Sequence, residues 1–81
     1  MSATEPYVRA FGDLMEKKLN LNRHKGDRDG WIQDSAESLL GRCKDELDEL
    51  RDAIRRGASP EEIANEAADV GNFAMMVADG I

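Results

Sequence analysis

Apolar residues recur along this chain at intervals of three and four, in blocks separated by two polar breaks. Tyr7, Phe11, Leu14, Met15 and Leu19 form the first block. Pro6 suits the first turn of a helix capped by Thr4 or Glu5, so the pattern predicts a helix over about residues 5–20. The segment "NLNRHKGDRDGWIQD", from Asn20 to Asp34, breaks the period with Gly, Asn, Asp and basic residues, and the loop is placed at 20–34. Ser35 is a suitable N-cap for a second helix, over about residues 35–56, whose stripe is Leu39, Cys43, Leu47, Leu50 and Ile54. Arg55 and Arg56 suit the negative end of its dipole, and Gly57 suits a left-handed stop.

"SPEE" follows at once. Ser59 as N-cap, Pro60 in the first turn and Glu62 three residues on form a capping-box pattern, which starts a third helix over about residues 60–79. Its stripe is Ile63, Ala67, Val70, Ala74 and Val77. No strand-like alternation and no internal repeat appears. The expected fold is all-α, a single domain over residues 1–81. It is an antiparallel helical hairpin joined by a short link, plus an N-terminal helix, with a four-helix-type bundle completed by oligomerisation.

Size matters to that last expectation: 81 residues lie near the length at which a single core becomes thin and chains lean on partners. Charge narrows the partners. With 17 Asp and Glu against 11 Lys and Arg, the net charge of −6 argues against a general nucleic-acid binder, which needs a basic surface for phosphates. No apolar run approaches a membrane span, and the N-terminus lacks a signal-peptide core. Cys43 is the lone cysteine, which permits no intrachain disulfide and fits a reducing compartment. The chain is expected to be soluble and cytoplasmic.

The acids themselves are not uniformly distributed. "CKDELDEL", residues 43–50, places Asp45, Glu46, Asp48 and Glu49 beside an apolar stripe. Residues three apart on a helix share a face, with Cβ atoms about 5–6 Å apart, so Glu46 and Glu49 form one pair and Glu66 and Asp69 another. Counted outward from the turn, the pairs fall at nearly matched heights, Glu49 opposite Glu66 and Glu46 opposite Asp69. Glu66 falls inside its helix's apolar stripe and Asp69 on the edge. Glu49, Glu66 and Asp69 have no Lys or Arg three or four residues away, whereas Asp48 and Asp52 can pair with Lys44, Arg51 or Arg56. Carboxylates converging without counter-charge are costly, and a hard divalent cation, above all magnesium, is the natural remedy. A solvated acidic face is the alternative, and it remains the reading for Asp45, Asp48 and Asp52.

"DELDELRDAI" and the later "EAADVGNFAMMVAD" together resemble the E-x-x-E and E-x-x-D arrangement of the MazG-like all-α nucleoside triphosphate pyrophosphohydrolases. "NRHKGDRDGW" is similar to the Asn, Lys-Gly and Trp segment of small phage and bacterial members. The resemblance covers about residues 20–80. It implies a homo-oligomer, dimer or tetramer, that binds Mg2+, with Mn2+ as a substitute, through Glu46, Glu49, Glu66 and Asp69. It also implies hydrolysis of a nucleoside triphosphate to the monophosphate and pyrophosphate by an activated water, with Glu49 and Glu46 as the catalytic carboxylates. Glu49 is the choice to orient or deprotonate that water, because it lacks a cationic neighbour.

Around these acids the resemblance suggests substrate contacts, each with a structural alternative. Trp31 stacks on a base or closes the end of a small core; Lys25 meets a phosphate or is solvated. Asn22 and Asn72 recognise sugar or base edges, unless Asn22 is a turn residue. The rival to an enzyme is a non-catalytic helical oligomerisation and interaction module whose acids serve solubility and pairing.

Overall fold

The computed structural model describes residues 5–21 and 28–80. Among these residues four helical elements follow one another: α1 (Pro6–Leu21), α2 (Arg28–Trp31), α3 (Ala36–Arg55) and α4 (Pro60–Asp79). Among the described residues there is no strand, and no helix is long and apolar enough to cross a membrane. Thr4, Asn22, His24 and Lys25 lie outside the described residues.

Three of the elements match the periodic blocks; α2 does not. The segment expected to be entirely loop contains a short helical turn at Arg28–Trp31, closed by Asp34 N–H donating to the Trp31 carbonyl at 3.0 Å. Its indole Nε1 donates to Asp79 Oδ2 at 3.1 Å. The turn is thus tied to the far end of α4 by a contact 48 residues away in sequence, which local periodicity does not register.

Capping explains the sharp ends of the long helices. Ser35 and Ser59 both have extended backbones, and their hydroxyls accept from the Ser38 and Glu62 amides at 3.0 and 3.1 Å, each satisfying an otherwise orphaned first-turn donor. The Glu62 carboxylate is held across the turn by Arg56. Gly57 has φ of 70°. Its amide donates to Ile54 O at 3.2 Å, and Ala58 N–H donates to Ala53 O at 3.0 Å, the paired bonds of a Schellman stop.

α4 is the central element, with α3 packed along one side of it and α1 along another. Both neighbours run antiparallel to it. Cys43 Sγ donates to the Val70 carbonyl at 3.6 Å, and Arg42 lies 4.8 Å above the Phe73 ring. On the other side, Asn72 Nδ2 donates to the Met15 carbonyl at 3.0 Å, three residues before Lys18 meets Asp69. Gly71 permits this approach, because a Cβ there would stand 3.1 Å from the Phe11 ring and 3.3 Å from Met15 Sδ.

The core is rotated from the stripe expected on α3. Its fully buried apolar residues are Leu39 and Ala53, with Ala68 opposite on α4; Leu47 and Ile54, expected to face the core, are 51% and 57% exposed. The reason is that Glu46, one turn from both Cys43 and Leu50, points into the α3–α4 seam, so the contact line runs Leu39, Glu46, Ala53.

Gly71→Val should therefore destabilise the fold by about 1–3 kcal/mol through crowding against Phe11 and Met15. Gly41→Ala, where nothing lies within 4 Å, should stabilise it by roughly 0.5–1 kcal/mol through helix propensity. Urea denaturation of the two variants beside the parent measures both.

Candidate metal centre

The α3–α4 register brings carboxylates from both helices together. Glu46, Glu66 and Asp69 each present an oxygen such that all three lie within 4.8 Å of one another. Glu49, more exposed on α3, sits beside Glu46 and Glu66, within side-chain contact of both. The acid pairs expected from sequence spacing are thus neighbours in space.

Burial and repulsion act on this group. Glu46 Oε2 and Glu66 Oε2 are buried without a hydrogen-bond partner, a costly state for a carboxylate. Burial, followed by the Glu49 contact and the charges of Asp69 and Glu66, pushes the Glu46 carboxyl up to about 7. Glu66 is also raised, first by burial and then by Glu49 and Asp69, with Lys18 opposing the shift.

Lys18 is the residue that sequence reasoning missed. It reaches from α1 to place Nζ 3.6 Å from Asp69 Oδ2, with both side chains about four-fifths buried at 22% and 20% exposure. A signal was present: Lys18 lies three residues after Met15 and four after Leu14, a cation in register with an apolar stripe. Local helical spacing on α3 and α4 could not reveal a counter-charge supplied by a third helix. Its ammonium brings one positive charge from α1 to a group of four carboxylates.

The donor set is all carboxylate oxygen, which suits a hard divalent ion such as Mg2+ or Mn2+, and the orphaned Glu46 and Glu66 oxygens are available as ligand atoms. The residues fit such an ion. Asp48, by contrast, pairs with Arg51 at 3.6 Å, and Asp52 lies 3.9 Å from the same guanidinium, as expected of a solvated face.

The outlying residues are placed differently. Asn72 is 4% exposed and clamps α1 to α4 through Met15, so within this chain it ties helices together rather than facing open space; its Oδ1 is buried without a partner. Trp31 is bound to Asp79, ten residues beyond Asp69 and thus about 15 Å along α4 at 1.5 Å per residue. The bond ties Trp31 to the C-terminal end of α4. No family model matches the chain, and no curated protein or solved structure matches it.

The raised carboxyls set a pH dependence. Between the ordinary value of 4.5 and about 7, the folded chain holds a proton on Glu46 that the unfolded chain releases, so its contribution to stability is complete below 4.5 and is lost as pH rises through 7. Metal-free protein, treated with chelator, should be more stable to denaturant at pH 5 than at pH 8. Glu46→Gln should flatten that difference; an unchanged difference in the variant would assign it to other groups.

Proposed function

We propose that this chain is a magnesium-dependent nucleoside triphosphate pyrophosphohydrolase of the MazG-like kind, acting in the cytoplasm as a homo-oligomer. The observation that carries the reading is the convergence of Glu46, Glu66 and Asp69 within 4.8 Å, with Glu49 beside them. They stand at the E-x-x-E and E-x-x-D positions on which the resemblance rests.

Glu46, Glu66 and Asp69 are the residues that would hold the ion, with Glu49 as a further ligand. A bound divalent cation supplies positive charge to the phosphate oxygens as negative charge develops there. Glu49, the exposed member of the set, can accept a hydrogen bond from an incoming water, orient it toward the α-phosphorus and take its proton. The new bond joins the water oxygen to the α-phosphorus. The bond from that phosphorus to the α–β bridging oxygen breaks, and pyrophosphate leaves with the bridging oxygen. Lys18, beside Asp69, keeps the acids from facing one another uncompensated while the site is empty of substrate.

The same lysine favours a second reading, a non-catalytic helical module. There the Lys18–Asp69 pair and the Asn72–Met15 clamp are simply structural, and Glu46 stays protonated. The two readings part on metal binding and turnover.

With Mg2+ or Mn2+, a panel of nucleoside triphosphates should yield pyrophosphate, and Glu49→Gln should lower kcat roughly 10²–10⁴-fold with its helical circular dichroism unchanged. At pH 8 the metal should raise the melting temperature of the parent and have no such effect on the double variant Glu66→Gln, Asp69→Asn. Absence of pyrophosphate release across the panel by correctly assembled parent would overturn the enzymatic reading.

A further inference from the structure

The ladder of facing residues that carries the acids has one more rung. Glu49 meets Glu66, and Glu46 meets Asp69. One turn further, back along α3 and forward along α4, Arg42 lies 4.8 Å from the centre of the Phe73 ring. Arg42 is four residues before Glu46 and Phe73 four after Asp69, so this rung stands about 6 Å along the helix axes from the Glu46–Asp69 level. Arg42 and Glu49 also share a flank of α3. They are seven residues apart, about 20° round the helix, and both side chains are exposed.

Two cations thus approach the cluster from different helices, and they are held differently. Lys18 of α1 is about four-fifths buried against Asp69. The Arg42 side chain is 58% exposed, and its carboxylate contact, Asp34 Oδ2 at 4.0 Å, is at the limit of an ion pair; exposed pairs contribute little. The Phe73 face attracts the guanidinium but offers it no oxygen acceptor, so the ring orients Arg42 and leaves N–H donors for an anion. Arg56, on the same flank beyond Glu49, is instead held by the Glu62 carboxylate.

Resting on the metal-dependent reading proposed above, we infer that Arg42 binds the pyrophosphate half of the nucleoside triphosphate and so fixes the direction in which the substrate lies. The α-phosphate sits at the acids, and the β- and γ-phosphates extend toward Phe73. A guanidinium matches phosphate oxygens with paired N–H donors. As the bond from the α-phosphorus to the bridging oxygen breaks, negative charge grows on the departing pyrophosphate, and Arg42 is placed to donate to its non-bridging oxygens. A nucleobase is the poorer occupant of this rung, because the Phe73 face on which it would stack already carries Arg42.

Steady-state kinetics in the presence of Mn2+ test the assignment. Arg42→Ala should raise KM for the best nucleoside triphosphate roughly tenfold or more and weaken competitive inhibition by inorganic pyrophosphate by a similar factor. Inhibition by the matching nucleoside monophosphate, which has no β- or γ-phosphate, should stay at the parent level. Arg42→Lys, which keeps the charge, should recover part of the pyrophosphate inhibition. Arg51→Ala, at a guanidinium paired with Asp48, should leave all three values unchanged. Mn2+ affinity, measured by titration calorimetry, should not fall in Arg42→Ala. Where Arg42→Ala loses helicity, Arg42→Gln takes its place with the same expected outcomes. A variant with the parent's KM, or one in which pyrophosphate and monophosphate inhibition weaken alike, overturns the role of Arg42 while the metal-dependent reading stands. A parent that neither binds Mn2+ nor turns over any nucleoside triphosphate overturns that reading, and the role of Arg42 with it.

Discussion

The turn at Gly57 sets the register between α3 and α4, and most other features of the molecule depend on that register. Its positive φ, the two Schellman bonds and the Ser59 cap end one helix and begin the next within a few residues. The two helices have no freedom to slide by a turn. Glu46 accordingly meets Asp69 and Glu66 rather than apolar neighbours, and Cys43 reaches the Val70 carbonyl. A one-turn shift would place Leu50 or Cys43 opposite Asp69 and disperse the acids.

Placing carboxylates in a helix–helix seam costs solvation and repulsion, and the chain offsets this cost in two visible ways. Lys18 brings a positive charge from α1 to Asp69. Glu46, burdened by burial and by three acidic neighbours, has its carboxyl raised to about 7, so that a proton is bound more readily there than on an exposed glutamate. Both responses are reversible. An arrangement that accepts either a proton or a cation is well suited to holding a metal, and the same balance makes the charge state of the cluster sensitive to pH near neutrality.

α3 presents two apolar lines from one amphipathic sequence. One face, Leu39 to Ala53, binds α4 and carries Glu46; the adjacent line, Leu40 to Ile54, stays exposed on the chain. α4 has no such spare apolar line, since Gly71 and Asn72 draw α1 against it. The pattern accounts for a stripe that is wide enough on paper for a full core and yet leaves Leu47 half in water. Apolar width on a helix measures how much surface needs cover, and the cover need not come from the same chain.

By itself the sequence determined the three long helices, the Ser35 and Ser59 caps, the Gly57 stop and the approach of the two acid pairs. All of these follow from neighbours within a few residues or from a short link of known length. Only the tertiary structure decided that Lys18 answers Asp69, that Trp31 is held by Asp79, that Asn72 clamps Met15, and which flank of α3 is buried. Those outcomes join residues 48 to 57 apart in sequence, or depend on a rotation of one helix about its axis. Helical periodicity defines the apolar arc but not the direction in which that arc is turned, because the choice is made by the packing of whole helices, including a glutamate drawn into the seam.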